Sequence, residues 1–333
     1  MYDGKTVAAV IPAYNEEEFI GAVIDTLPPF IDRAYVIDDG STDNTWDRIQ
    51  SHAEKRNTGN SPDVVGNGGQ VTTVEQNTEV VPVKHESNRG VGAAIKTGYS
   101  RAVADRMDIT TVIAGDGQTE SDIVERIVKP VASGRADYSK GNRMLTREGM
   151  PMFRQIGNFM LALLTKIASG YWKVNDPQNG STAISLAALE SIAIDELYND
   201  YGFVNNLLVH LNVHRMRIAD VPRRAVYKNE KSHIKYSTFV PKLSWLLLRN
   251  FLWRLRVKYL ERDFHPLAFL YLFGAVVTGT GFTGIAFGLV GIGTIDGGIG
   301  YLGFIIGSLM LILAMIFDHF ENESLQIVGH FER

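Results

Sequence analysis

Residues 6–16 read TVAAVIPAYNE. A short apolar run closes on Pro12 and passes at once into Tyr14, Asn15 and Glu16. A run of this length, ended by a proline, reads as a buried strand. Residues 15–27 follow with acids at their start and apolar residues at helical spacing (Phe19, Ile20, Val23, Ile24, Leu27), which predicts a helix. The pattern then repeats. A strand predicted over 34–37 runs into Asp38-Asp39-Gly40-Ser41-Thr42-Asp43 and a helix over 45–53. Strands predicted over 80–84 and 110–114 enclose a helix over 91–103. Alternating strand and helix predicts an α/β fold with a Rossmann-like, mostly parallel sheet. Residues 57–79 break the rhythm: they are polar, hold four glycines, and read as a surface excursion or small hairpin with weak strand character at 71–74.

In open parallel sheets, ligands bind beyond the carboxyl ends of the strands. Three polar clusters stand at such ends: Tyr14-Asn15-Glu16, Asp38-Asp39 and Asp116-Gly117-Gln118. Any one of them is what a turn requires. Three on successive strand ends make a site. Acids beside a nucleotide accept hydrogen bonds from base and ribose, or hold a divalent cation against a pyrophosphate.

A chain of 333 residues has room for one large domain and an appendage. It has no cysteine, which excludes disulfides and thiolate chemistry. Its start lacks the apolar run of a signal peptide. Near its end, residues 266–295 and 297–317 carry no charged side chain, and only Asp296 separates them. About 20 helical residues cross a bilayer core, so these stretches predict a transmembrane hairpin. Directly before it, residues 215–262 hold 13 Lys/Arg against three acids, a local net of +10 that leaves −14 for the rest of a chain whose overall charge is −4. Positive charge beside a span marks the cytoplasmic side, and two spans return the chain to it. The soluble part and both termini are therefore expected on the cytoplasmic face of the cell membrane. Residues 240–259 mix leucines, Trp245, Phe251 and Trp253 with Lys242, Arg249, Arg254, Arg256 and Lys258. That mixture predicts one or two amphipathic helices at headgroup level. Gly284/Gly288 and Gly303/Gly307 are spaced for close helix packing, within the hairpin or between copies of a homo-oligomer.

Residues Ile11-Pro12-Ala13-Tyr14-Asn15-Glu16, Ile37-Asp38-Asp39-Gly40-Ser41-Thr42-Asp43, Asn88-Arg89-Gly90-Val91-Gly92 and Ala114-Gly115-Asp116-Gly117-Gln118 together resemble the ordered signature of family 2 glycosyltransferases with the GT-A fold. The branch they resemble is that of the polyprenyl-phosphate sugar transferases. The match continues through Lys140-Gly141-Asn142-Arg143, Asp176-Pro177-Gln178-Asn179-Gly180 and Glu230-Lys231-Ser232, and so covers roughly the first 235 residues. The chain then divides into a GT-A catalytic domain (1–235), juxtamembrane amphipathic helices (236–263), two transmembrane helices (264–318) and a cytoplasmic tail (319–333).

The resemblance implies that Pro12, Tyr14, Glu16, Asp39, Gly115 and Asp116 bind the nucleotide, with Asp39 at the base. It implies that Asp116 and Gln118 ligate Mg²⁺ or Mn²⁺ at the diphosphate, which makes Asp116 catalytic. The family has a second acid two residues earlier, where this chain has Ala114, so a weaker metal site is expected. Arg143, Arg154, Lys231 and Ser232 fall where the acceptor phosphate is bound, and the arginine fork suits phosphate oxygens. Asp176 is either a supporting carboxylate at the anomeric centre or a turn before Pro177. The implied reaction moves a hexose, with inversion, from a donor of the UDP-glucose or GDP-mannose type to a polyprenyl phosphate. That acceptor is already ionised, so positioning and charge stabilisation suffice. The implied partners are nucleotide sugar, lipid acceptor and membrane, with no nucleic acid. Two rival readings are a membrane-anchored nucleotide-sugar-binding protein without activity, supported by Ala114 alone, and a processive polysaccharide synthase. The second would carry a Gln-x-x-Arg-Trp motif and more spans.

Overall fold

The computed structural model describes residues 1–59, 78–117, 121–143, 152–177, 179–223, 236–290 and 297–327. Its strands are β1 (Val7–Ala13), β2 (Arg33–Asp38), β3 (Glu79–Lys84), β4 (Ile109–Val112), β5 (Tyr138–Asn142), β6 (Thr182–Ser185), β7 (Ile218–Pro222) and β8 (Gln326–Ile327). They form one sheet in the order β3-β2-β1-β4-β6-β5-β7-β8. Every neighbouring pair is parallel except those of β6, which runs antiparallel to both β4 and β5.

β1 is buried on both faces, as its unbroken apolar run requires. Val7, Ala9 and Ile11 pack on one side with Ile20 and Ile24 of α1 (Ile20–Asp25), Ile49 of α2 (Thr45–Asn57) and Ile127 of α4 (Ser121–Ala132). Ala8 and Val10 pack on the other with Tyr99 of α3 (Val91–Ala104), Leu189 of α6 (Leu186–Ser191) and Leu207 of α7 (Phe203–Val213). The sheet is thus covered by helices on both faces. α1 is shorter than its periodicity predicts. Asn15 sits at φ 56°, bound to the next loop, and that ties residues 15–19 outside the helix. Of the irregular segment, residues 60–77 lie outside the described residues.

α5 (Met152–Ser169) and α8 (Tyr236–Arg256) pack together, and α8 also packs on α7. A π-helical turn, Val257–Arg262, continues α8 toward the two apolar helices α9 (Leu267–Val290) and α10 (Gly297–Glu321). Their mean hydropathies are 1.6 and 2.4, and only 17% of each span is buried. Phe273, Phe282 and Leu289 of α9, and Leu302, Leu309 and Ile312 of α10, stand exposed. Both helices are long and apolar enough to cross a bilayer core. The glycines serve the hairpin itself: a Cβ on Gly281 would lie 2.2 Å from Phe304 N, and one on Gly307 2.3 Å from Thr278 N.

The basic stretch before the spans divides in a way its spacing does not show. Lys242, Arg249 and Arg256 are exposed beside Trp245, Leu248 and Leu252. Arg254 and Lys258 are not part of that face. Arg254 is fully buried, donates to Ile167 O and Ala168 O at the end of α5, and forms a two-pronged pair with Asp318 of α10 at 2.9 and 2.8 Å. Lys258 donates to Asn212 Oδ1 at 2.9 Å and to Asn322. Burial, and then the neighbouring Arg254, push its ammonium down to about 7. The reason is periodicity: residues 254 and 258 lie one helical turn apart, on the side of α8 and its π-turn that faces the protein.

α10 continues past the predicted end of the span to Glu321, and the chain then returns to the sheet. Gln326 and Ile327 pair with Ile218 and Ala219 of β7, and Gln326 Oε1 accepts Lys173 N–H at 2.5 Å. What reads as a tail is, over these residues, the last strand of the domain.

Candidate active site

β1, β2 and β3 end level, with Ala13 beside Asp38 and Asp38 beside Lys84. The polar residues of the first two strand ends are largely spent on each other. Asn15 Oδ1 accepts Thr42 N–H at 2.9 Å, and Asn15 N–H donates to Ser41 Oγ at 2.9 Å. Glu16 N–H donates to Thr45 Oγ1 at 2.8 Å, and Asp38 Oδ1 accepts Ser41 N–H at 3.1 Å. The two loops form one stitched rim.

Asp39 joins a third segment to that rim. Its Oδ1 accepts Arg89 N–H at 3.0 Å and meets His85 Nδ1 at 2.7 Å, while Oδ2 accepts Gly90 N–H at 2.8 Å. His85 Nε2 meets Thr97 Oγ1 of α3 at 2.9 Å. A carboxylate offers about four lone-pair directions, so about one remains for a ligand. The motif at 88–92 therefore exists first to be held by Asp39 at the start of α3.

These segments surround a cavity of ≈ 330 Å³. Pro12, Tyr14, Glu16, Asp39, Gly115 and Asp116 all line it, so the structure brings together the six residues assigned to the nucleotide. Tyr14 is 43% exposed at its edge. Ala114, Asn88, Gly90, Val91, Asp200 and Tyr201 complete the wall. Asp200 and Tyr201 come from the turn before α7, far along the chain, and carry no motif that would have marked them.

The residues assigned to the acceptor are placed differently. Arg143, just past β5, grips Asp176: its backbone N–H and Nε donate to Oδ2 at 3.0 and 2.7 Å, and Nη2 donates to Oδ1 at 3.0 Å. Burial would raise the carboxyl of Asp176, but the hydrogen bonds and charge of Arg143 outweigh it and hold the group below the usual range. Neither residue lines the cavity. Beneath them Lys140, wholly buried, donates to Asn175 O at 2.6 Å and pairs with Asp220 at 3.2 Å. Burial raises the carboxyl of Asp220 despite that partner. Arg154 lies on α5, its side chain outside the described residues. Gln118, Lys231 and Ser232 also lie outside them.

Among the described residues no three His, Asp or Glu side chains gather as a metal cage. Asp116 stands past the end of β4 with Ala114 two residues before it, both on the cavity wall. One carboxylate at an open cleft fits a hard cation that takes its other ligands from a diphosphate and water. It does not fit a cation held by protein alone.

Residues 8–192, more than half of the chain, match glycosyl transferase family 2. The chain is 30% identical over 227 residues to the UDP-N-acetylglucosamine–dolichyl-phosphate N-acetylglucosaminyltransferase of Methanococcus voltae, a match covering 67% of this chain and 86% of that one. It is 20% identical over 226 residues to the dolichol-phosphate mannosyltransferase of Pyrococcus furiosus, covering 65% and 55% of the two. Among solved structures, glucosyl-3-phosphoglycerate synthase from Mycobacterium tuberculosis, in complex with Mn²⁺, UDP-glucose and phosphoglyceric acid, superposes with a TM-score of 0.51 at 22% identity, over 75% of this chain and 80% of that one. At that identity the likeness is one of fold. Strand-end motifs gathered on one cleft and a family match over residues 8–192 agree: the chain belongs to glycosyltransferase family 2, with the GT-A fold.

Proposed function

We propose that the protein transfers a hexose, with inversion, from a nucleoside-diphosphate sugar to a polyprenyl phosphate at the cytoplasmic face of a membrane. The observation that carries this is the continuity between cleft and hairpin. The chain that builds the nucleotide cleft runs through α8 into two lipid-suited helices, and Arg254–Asp318 and β8 tie both ends of that hairpin to the same domain. The relatives named for dolichyl-phosphate substrates support the same acceptor class.

In this reading Pro12, Tyr14, Glu16, Asp39 and Gly115 hold the nucleoside, and Asp116, with Gln118, holds Mg²⁺ or Mn²⁺ against the diphosphate. When bound, the cation neutralises charge on the departing nucleoside diphosphate. Arg143, with Arg154, Lys231 and Ser232, meets the lipid phosphate, and the Asp176 carboxylate keeps the Arg143 fork in one orientation. One phosphate oxygen of the acceptor forms the new bond to the anomeric carbon as the bond to the diphosphate oxygen breaks. No proton has to be removed first, so catalysis rests on orientation and charge.

The test is transfer by the full-length protein, in detergent or nanodiscs, from radiolabelled UDP-glucose, UDP-N-acetylglucosamine or GDP-mannose to dolichyl or undecaprenyl phosphate, with Mg²⁺ and with chelator. Label should move into the organic-extractable fraction and nucleoside diphosphate should accumulate, with both lost on chelation. Release of nucleoside diphosphate with no label entering the organic-extractable fraction for any donor and lipid would overturn the acceptor assignment.

A further inference from the structure

One part of the cleft wall owes nothing to the strand ends. Residues 195–201 reach the cavity from a turn about a hundred residues beyond α3, and the start of α3 holds them there. Lys96 directs all of its donors to this segment: Asp195 O at 2.7 Å, Leu197 O at 3.0 Å and Asn199 Oδ1 at 2.9 Å. Ala93 N–H donates to Asn199 O at 3.0 Å. Gly90 and Gly92 leave the necessary space, since a Cβ would lie 2.5 Å from Asn199 O on the first and 2.4 Å from Tyr198 O on the second. Both glycines of the motif at 88–92 thus serve the docking of this segment.

The segment ends by presenting Asp200 and Tyr201 to the cavity. Asp200 Oδ1 accepts the N–H of Tyr201 at 2.7 Å, and its other oxygen takes no hydrogen bond among the described residues. Its Cα lies 3.4 Å from where a Cβ on Gly90 would stand, and Gly90 N–H is the one held by Asp39. An exposed, acceptor-only group therefore stands on the cavity wall beside Gly90, on the same cavity that Asp39 lines. A carboxylate so placed repels phosphate and accepts from hydroxyls, and its two oxygens suit a vicinal pair.

We infer that Asp200 is a donor-recognition residue that accepts hydrogen bonds from vicinal hydroxyls of the nucleotide sugar, and that Lys96 is the positioning residue that keeps it there. The assignment rests on the cleft being the nucleotide-sugar site. The ribose and the hexose both offer such hydroxyls, and binding distinguishes them.

The experiment is calorimetric titration of the full-length protein in nanodiscs with UDP, GDP, UDP-glucose and GDP-mannose, comparing wild type with Asp200→Ala. Asp200 is on the surface, so its removal leaves the fold in place. Loss of a hydrogen bond to a charged group predicts roughly 10- to 100-fold weaker binding. An equal loss for bare diphosphate and nucleotide sugar assigns the ribose; a loss confined to the nucleotide sugar assigns the hexose. Lys96→Met should raise the donor KM several-fold with the acceptor KM and melting temperature unchanged, and Lys96→Arg should restore part of it. Wild-type affinity in Asp200→Ala for every probe would overturn the inference alone. If the wild type binds none of the four, the nucleotide-sugar reading falls with it.

Discussion

Asp116 and Asp39 both line the cleft, but in different settings. Asp39 has most of its acceptor capacity committed to Arg89, Gly90 and His85, so its removal would loosen a loop as well as a ligand contact. Asp116 is placed past β4 with no second acid at 114, so in the proposed reaction it is the carboxylate of that strand end that would hold the cation against the diphosphate. Asp116→Ala should abolish transfer from every donor while the protein keeps its melting temperature. Turnover within a few-fold of wild type would remove Asp116 from the reaction. Tyr14, Glu16, Asp39 and Asp116 were legible because each stands just past an apolar strand and strand ends of a parallel sheet converge, whereas Pro12 and Gly115 were marked by the family resemblance alone. The Arg143–Asp176 pair was not legible, since its partners lie 33 residues apart and meet only through the β5 and β6 region. Asp200 was hidden for the same reason.

At the scale of elements, the strands read correctly where apolar runs were unbroken, as in β1 and β2. β5 escaped the hydrophobic pattern because its buried residues include Ser139, Lys140 and Asn142, whose polar groups are paired internally. β6 is four residues long, too short for periodicity to speak. The junction of α7 with α8 carries a pH dependence. His210 is 6% exposed and stacks on Trp253 at 4.5 Å. Burial, and then His214, hold its pKa down to about 4. The unfolded chain, with an ordinary value of about 6.5, takes the proton first as pH falls. The stability that neutral His210 contributes is therefore complete above about pH 6.5 and is lost toward pH 4, on the order of 3 kcal/mol in all. Melting curves between pH 7 and 4.5 should fall less steeply for His210→Phe than for wild type. Equal slopes would show that another group carries the effect.

For the whole molecule, the apolar hairpin was plain in the sequence, but its attachment was not. A count of basic residues cannot tell the exposed cations of α8 from Arg254, which faces Asp318. Asp318→Ala should cost about 3–5 kcal/mol, because it leaves Arg254 buried without its partner. Arg254→Met combined with Asp318→Leu should recover much of that in a detergent melting assay. A double variant no better than the single one would mean the clamp holds through Tyr259 and Asn322 instead. β8 bears on how the enzyme comes into being. A ribosome delivers β1 to β7 before either span, and β8 after both. Until α10 has folded back along α9, the outer edge of β7 has no strand beside it, and the sheet gains its eighth member only then. Completion of the eight-stranded sheet thereby waits on the pairing of the two apolar helices.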